Sequence, residues 1–486
     1  MKRNIVFSFL FLGLITIYGQ DKQAIKFAKT IKEKDLESYL SVLSADSLEG
    51  RETGEPGQKK AAQFIAAKFE SFGLQPVVET PSGFSFFQTY PLNKRNYVTA
   101  YMKKGSEQKQ NFEDFLMYSN SETIGEEYAD ILFLGVKTID QLKNMDLSGK
   151  FVAFNSPELH DWKRVTQGVK ELDAEGVMVI INNQQYFRYL IGFYKKRLSK
   201  SKLALESANE PKIIFGDPAL AEWIFDLGYD SLRASGVGNK ARVIINSDQL
   251  VEEIIAENVL GYIEGTEKPE EVLVITSHYD HLGIDEKGEI YNGADDDGSG
   301  TSTVLEIAQA FAIAAEKGYR PERSILFMTV SGEEKGLLGS EYYANHPVFP
   351  IENTVTNLNA DMVGRIDPIH EIEPDYIYLI GSDKLSSELH EISEKVNKTY
   401  TKLALDYTYN AEDDPNRYYY RSDHYNFAEK GVPVIFYFNG SHDDYHRPTD
   451  TIDKIEFGLM KKRAQLIFYT AWELANRENR VKVDEK

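Results

Sequence analysis

The sequence predicts an α/β fold, a mostly parallel mixed sheet flanked by helices, interrupted by a separate β-rich module. Three observations carry this. Apolar runs of strand length recur from Asn258 onward ("EVLVITS", "SILFMTV", "TNLNADM", "YIYLIG" and "PVIFYFN"), several of them without period-two alternation. Strands buried on both faces of a central sheet read that way. Helical segments such as "TSTVLEIAQAFAIAAEKG" lie between these runs, and strands alternating with helices point to the α/β class. Between about Tyr128 and Ser247 the texture differs, with short β-rich runs "ADILFLG", "GKFVAFN", "GVMVIIN", "PKIIFG" and "KARVIIN" and "VKELDAEG" as a helical piece. At 486 residues the chain is too long for one ordinary compact core, so a second domain is expected.

Taken in order, the chain opens with "MKRNIVFSFLFLGLITIYGQ". Lys2 and Arg3 precede an apolar stretch from Ile5 to Ile17, and small Gly19 suits a cleavage position. The run is short for a bilayer, so residues 1–19 read as a secretory signal peptide, not a membrane anchor. The expected product starts near Gln20, is periplasmic or secreted, and has no membrane span. Residues 20–110 form the N-terminal part of the main domain. In "EPGQKKAAQFIAAKFESFGL", Ala61, Phe64, Ile65 and Phe69 recur at helical spacing and Gly73 is placed to stop the helix. Residues 111–250 are the β-rich insert, in which the basic run "KKRLSKSK", Lys195 to Lys202, reads as a solvated loop. Residues 251–486 are the main α/β part.

Composition narrows the function classes. Apolar content of 42% with 12% aromatic residues belongs to a globular protein. Acidic residues outnumber basic ones by 76 to 55, a formal charge of -21, which argues against nucleic acid or an anionic membrane as the main partner. The chain has no cysteine, which excludes thiol catalysis, disulfides, thiolate zinc sites and lipid attachment through an N-terminal Cys.

In open α/β sheets ligands sit beyond the carboxyl ends of strands. Directly after "VLVITS" come His278, Asp280 and His281; after "ILFMTVSG" come Glu333 and Glu334; "TNLNA" is followed by Asp361. Beyond "VIFYFNG" lies "SHDDYHRPTD", with His442, Tyr445 and His446. The loop after the His278 strand carries "YNGADDDGSGTST", Tyr291 to Thr303, with Asp295, Asp296 and Asp297 in a row. Adjacent like charges repel and Asp is a poor helix former, so the triplet is either a polar helix cap or part of a charged site. Any one of these groups alone would be an ordinary solvated loop. Four strand ends delivering imidazoles and carboxylates to one sheet edge suit a divalent metal, zinc first among them.

The ordered set "HYDHLG", "NGADDDGSG", "SGEEKGLLGS", "NADMVGR" and "YHRPTDT", together with "DSLEGRETGEPGQKKAAQFIAAKFESFGLQP", resembles the secreted bacterial leucyl-aminopeptidase family of two-zinc metallopeptidases. Wider relatives of that family are glutaminyl cyclases, glutamate carboxypeptidases and transferrin receptors. The resemblance spans roughly Leu48 to Asn476, and the insert resembles a protease-associated domain. It implies the zinc-peptidase fold, two zinc ions and peptide substrates. His278 and Asp361 would hold one zinc, Glu334 and His446 the other, and Asp296 would bridge both, with Asp297 as a helix cap. Asp280 resembles the carboxylate that orients His278, Glu333 the general base, and Tyr445 a phenol that stabilises the oxyanion. His281, Asp423, His424 and His442 match no ligand position and read as structural or hydrogen-bonding partners. The tyrosine-rich "NRYYYRSDHYNF" reads equally as a specificity pocket or a packed loop. The alternatives are a cyclase with a single zinc, opposed by the full five-ligand set, a carboxypeptidase-like relative, for which no cationic pocket is legible, and a non-catalytic receptor-like protein, opposed by the intact ligands and base.

Overall fold

The computed structural model describes residues 20–117, 125–198, 202–205 and 211–485, and among these the side chains of 96–99, 163, 196–198 and 248–250 are left aside. The signal peptide read from residues 1–19 and residues 199–201 of the Lys195–Lys202 run lie outside the described residues; the rest of that run, read as a loop, ends helix Gln184–Leu198 and opens strand Lys202–Ala204. Two compact units emerge, one combining the chain up to Gln88 with Glu257 onward, the other Thr89–Ala256.

In the first unit the sheet order is Ala404–Asp406, Tyr376–Ile380, Val434–Phe438, Thr354–Ala360, Lys268–His278, Arg323–Val330 and residues 259–263 of the long strand Lys240–Ile263. Lys268–His278 runs parallel to both its neighbours, as do Thr354–Ala360 with Val434–Phe438 and Tyr376–Ile380 with Ala404–Asp406. Two antiparallel pairings complete a mixed, mainly parallel sheet. The missing alternation in the sequence has a direct cause. Leu273, Ile275, Ile325 and Phe327 enter one core, while Val272, Val274, Leu326 and Met328 enter another on the opposite face. Side chains still alternate, but both faces are dry.

Helices cover both faces. Phe311 of helix Gly300–Glu316 packs against Phe468 and Trp472 of helix Phe457–Asn476. On the other side Tyr343 of Leu338–Asn345 meets Phe427 of His424–Glu429. Helix Pro56–Ser71 buries Ala61, Ile65 and Phe69, and Gly73 follows at φ +80°, the left-handed stop expected from the sequence.

One carboxylate sits inside this helical layer. Glu306, 1% exposed, accepts the Lys32 N–H at 2.6 Å and so anchors the start of helix Glu33–Leu43. Burial pushes its pKa up to about 8, against the opposing Lys32 N–H and with help from Asp35. A folded-state value above the unfolded one means the folded chain keeps its proton longer. Stability from this group is therefore full below about pH 4.5 and declines up to about pH 8. Glu306→Gln keeps the acceptor oxygen and removes the charge. It is expected to stabilise the protein by about 2–4 kcal/mol at pH 9 and by little at pH 4. Denaturant titrations at the two pH values check this; equal effects at both would contradict it.

The second unit orders residues 240–246 of the long strand, Glu126–Val136, Phe151–Asn155, Gly176–Ile180, Lys212–Gly216 and Phe115–Met117 in one run. Its compact part starts earlier and ends later than the 111–250 read from the sequence, because strand Phe87–Lys104 pairs with Glu107–Gln110 and Lys202–Ala204. It also holds more helix than the β-rich reading implied, including Trp162–Lys170, Gln184–Leu198, Pro218–Phe225 and Tyr229–Ser235. The helical piece read at "VKELDAEG" lies further upstream, starting where Asp161 caps the Arg164 N–H and ending at Lys170. Its parallel central strands, buried on both sides, explain the continuous apolar runs.

Candidate metal centre

The sequence-predicted donors meet in the first unit, at the carboxyl ends of Lys268–His278, Arg323–Val330, Thr354–Ala360 and Val434–Phe438. Neighbouring parallel strands finish along one edge, so residues far apart in sequence converge there. His278 Nε2 lies 3.3 Å from Asp296 Oδ1, 3.6 Å from Asp361 Oδ1 and 3.9 Å from Glu333 Oε2. His446 Nε2 lies 3.1 Å from Asp296 Oδ2 and 3.2 Å from Glu334 Oε2. Asp296 thus presents one oxygen to each of two imidazoles. His281, left outside the ligand set by the resemblance, places Nδ1 2.8 Å from Glu334 Oε1 and 3.8 Å from Asp296 Oδ2.

Two donor groups gather within 4.8 Å each, His278–Glu333–Asp361 and His281–Asp296–Glu334. Asp296 Oδ2, Glu334 Oε1 and both ring nitrogens of His281 are buried without a hydrogen bond of sound geometry, despite the short approaches. Leaving a buried polar atom unsatisfied costs about 1–3 kcal/mol. Converging imidazole and carboxylate lone pairs in that state are the donor chemistry of zinc. The donor chemistry of these residues fits zinc.

The three consecutive aspartates divide their work. Asp297 accepts the N–H of Gly300 and of Met362, each at 2.9 Å, and of His278 at 3.2 Å. It caps helix Gly300–Glu316 and also ties the ends of two ligand-bearing strands together. Asp295 accepts from Gly364 N at 2.7 Å and Ser299 Oγ at 2.9 Å, and His442 Nε2 stands 3.1 Å from its other oxygen. Asp450 Oδ2 takes the N–H groups of Asp295 and Asp296 at 3.0 and 3.1 Å, so the backbone beneath the shared ligand is held from below. Two glycines are needed for this crowding. A Cβ at Gly300 would lie 2.2 Å from Ala360 O, and one at Gly293, where φ is +51°, would lie 2.2 Å from Asp296 O.

The electrostatics separate the paired glutamates. Burial holds Glu333 well above the usual carboxylate range; His278 opposes this, and the charges of Glu334 and Asp361 reinforce it. Burial and Asp296 push Glu334 the same way, yet the His281 and His446 imidazoles outweigh them and bring it down to about 2. Adjacent residues therefore sit in opposite environments, which raise the proton affinity of Glu333 and lower that of Glu334.

Further residues hold the donors in place. His278 Nδ1 lies 3.1 Å from the Asp280 backbone oxygen and 3.7 Å from its carboxylate. That carboxylate is itself fixed by Thr53 Oγ1 at 2.7 Å and the Glu333 N–H at 3.2 Å. Asp361 Oδ2 accepts Ser422 Oγ at 2.6 Å, at the end of a buried polar chain through Asn359 and Thr276. Arg51, 1% exposed, donates to the carbonyls of Tyr279, Asn292 and Gly293, stapling the "HYDH" loop to the aspartate loop. Tyr445 stacks on His446 at 3.9 Å, and its hydroxyl accepts from Arg421 at 3.3 Å. Asp423 is buried and accepts from Ser340, and His424 is buried against Phe436, where burial pulls its pKa down to about 3. Sequence reading missed Arg51, Thr53, Ser422 and Asp450. All four lie inside quoted stretches, Arg51 and Thr53 in "DSLEGRETG", Ser422 in "NRYYYRSDHYNF" and Asp450 in "YHRPTDT", but residue type alone did not flag them.

Residues 258–471 match the model of Peptidase family M28. Over 215 residues the chain is 30% identical to the "Probable leucine aminopeptidase" of Arthroderma otae, covering 43% of this chain and 55% of that protein. It is 26% identical over 239 residues to "Aminopeptidase YwaD" of Bacillus subtilis, covering 48% of this chain and 47% of that one. The chain thus spans about half the length of the curated relatives it matches. Among solved structures, the aminopeptidase from Aneurinibacillus sp. strain AM-1 shares the fold, with a TM-score of 0.55 over 95% of this chain and 98% of that one, at 19% identity.

Proposed function

We propose, from the match of residues 258–471 to the model of Peptidase family M28, that the chain is an exported, zinc-dependent aminopeptidase of that family releasing N-terminal residues from peptides. The observation that carries the reading is Asp296, whose two carboxylate oxygens face His278 and His446 at 3.3 and 3.1 Å with Glu333 and Glu334 alongside. His278 and Asp361 would hold one zinc, Glu334 and His446 the other, with Asp296 shared. When bound, zinc supplies Lewis acidity and favours charge developing on the scissile carbonyl oxygen.

The remaining chemistry falls to the chain. Glu333 Oε2 takes the proton of the attacking water and returns it to the departing amine, a task that its raised basicity suits. Asp280 keeps His278 and the Glu333 backbone in register. The Tyr445 hydroxyl, held by Arg421, is placed to donate to the oxyanion. The surrounding carboxylates accept hydrogen bonds from the substrate's α-amine. The Thr89–Ala256 unit is assigned to the protease-associated type on the sequence resemblance alone.

An acetyl cap removes the amine's charge and lone pair. Free aminoacyl anilides and short peptides, with leucine-like first residues, are expected to be cleaved, and their N-acetylated forms to be cleaved little or not at all. Mass spectrometry of a peptide sampled over time should record stepwise loss from the N-terminus. Equal rates on capped substrates, or loss from the C-terminus, would sink the reading. Export is part of the same proposal, resting on Lys2, Arg3 and the apolar run to Ile17. Among the described residues no helix is long and apolar enough to cross a membrane. Intact-mass measurement of natively expressed protein should give a chain starting near Gln20; a soluble form retaining Met1 would contradict it.

A further inference from the structure

A cleft of about 1000 Å³ opens in the first unit, walled by Tyr407, Tyr409, Tyr419 and Tyr420 and edged by Glu412 and Asp413. It absorbs the tyrosine-rich segment that the metal chemistry leaves unused. Its lining carries four carboxylates, with Asp383 and Asp414 added, against two cations, Lys384 and Arg417. Both cations are already engaged. Lys384 Nζ lies 5.1 Å over the Tyr419 ring and donates to Asn410 O, and the Arg417 guanidinium lies 4.5 Å over the Tyr420 ring. The uncommitted charge is negative, since Glu412 and Asp413 are both exposed. Exposed carboxylates on an aromatic-walled cleft whose own cations are already engaged match a basic side chain.

One wall of the cleft is joined by two residues of chain to side chains that touch the candidate donors. Tyr420, 45% exposed, is followed by Arg421, which donates to the Tyr445 hydroxyl, and by Ser422, which donates to Asp361. Consecutive Cα atoms are about 3.8 Å apart, so Tyr420 lies within roughly 8 Å of Ser422 by backbone. An extended peptide covers that span in two to three residues, at about 3.3 Å each.

We propose that this cleft recognises the downstream part of the peptide substrate and selects basic side chains at its third and fourth residues. The proposal rests on the aminopeptidase reading above, because the substrate's direction follows from it.

The test compares Leu-Gly-Lys-Lys-Gly with Leu-Gly-Glu-Glu-Gly, using leucyl anilide as a substrate that cannot reach the cleft. The basic peptide is expected to show about 5- to 20-fold higher kcat/KM, mostly through KM, with the margin shrinking at about 0.5 M salt. The double variant E412Q/D413N should cut the margin to about 2-fold, as a loss of complementary charge predicts, and leave anilide turnover unchanged. Equal kcat/KM for the two peptides in the wild type would overturn the proposal, as would a variant that slows anilide and peptides alike. If neither anilide nor peptide is cleaved, the aminopeptidase reading fails separately. Calorimetric binding of the same two peptides then decides the cleft. Tighter binding of the basic peptide, lost in E412Q/D413N, supports it, and indifference to charge overturns it.

Discussion

Glu333→Gln is expected to lower kcat by at least about 10²-fold while leaving zinc content near that of the wild type. The amide keeps the size of the side chain and cannot take up a proton. The geometry makes the outcome informative, because Glu333 Oε2 lies 3.9 Å from His278 Nε2 and gathers with His278 and Asp361. A residue acting as the base from that place leaves the ligands intact when changed. A residue acting as a ligand takes an equivalent of metal with it. Anilide turnover and elemental analysis of the same preparation separate the two. Wild-type turnover, or a loss of one zinc per chain, would contradict the role given to Glu333. Glu334→Ala should behave in the opposite way. Its carboxylate is held anionic at about 2 by His281 and His446, and its removal should empty one site.

The second large effect is expected at Asp296. Wild-type protein should approach two zinc equivalents per chain, and Asp296→Asn should lose metal from both positions, since one side chain faces both imidazoles. Its neighbours should fail differently. Asp297→Asn weakens charged hydrogen bonds to the backbone of Gly300, Met362 and His278, so its expected cost is about 2–3 kcal/mol of folding stability. Asp450→Asn, which disturbs the support beneath Asp295 and Asp296, should weaken zinc affinity by about 10- to 100-fold. Metal titration and denaturant unfolding of the three variants check the division. Indistinguishable behaviour of Asp296→Asn and Asp297→Asn in metal binding would remove it.

Much of the donor set was legible because the fold class makes it so. Once "EVLVITS", "SILFMTV" and "PVIFYFN" read as strands buried on both faces, the residues just past them share an edge. That rule brings His278, Glu333, Glu334, Asp361 and His446 to one edge together with Asp280, His281, His442 and Tyr445, and the choice among them rests on the family resemblance. The helices of the Thr89–Ala256 unit were harder. Gln184–Leu198 was not singled out as a helix at all, and Trp162–Lys170 was misplaced toward the "VKELDAEG" stretch, because short apolar patterns do not distinguish a helix from a strand by periodicity.

By itself the sequence determined which imidazoles and carboxylates follow the strands, and so at which end of the sheet they stand, since both follow from local runs and residue type. The tertiary structure alone decided how those groups pair. It set His281 against Glu334, gave Asp295, Asp296 and Asp297 three different directions, and brought Arg51 to Gly293 across 242 positions of chain. Such partners leave no local trace. A buried donor is matched to its acceptor by packing of the whole core, and periodicity along a strand or helix carries no record of what lies across from it.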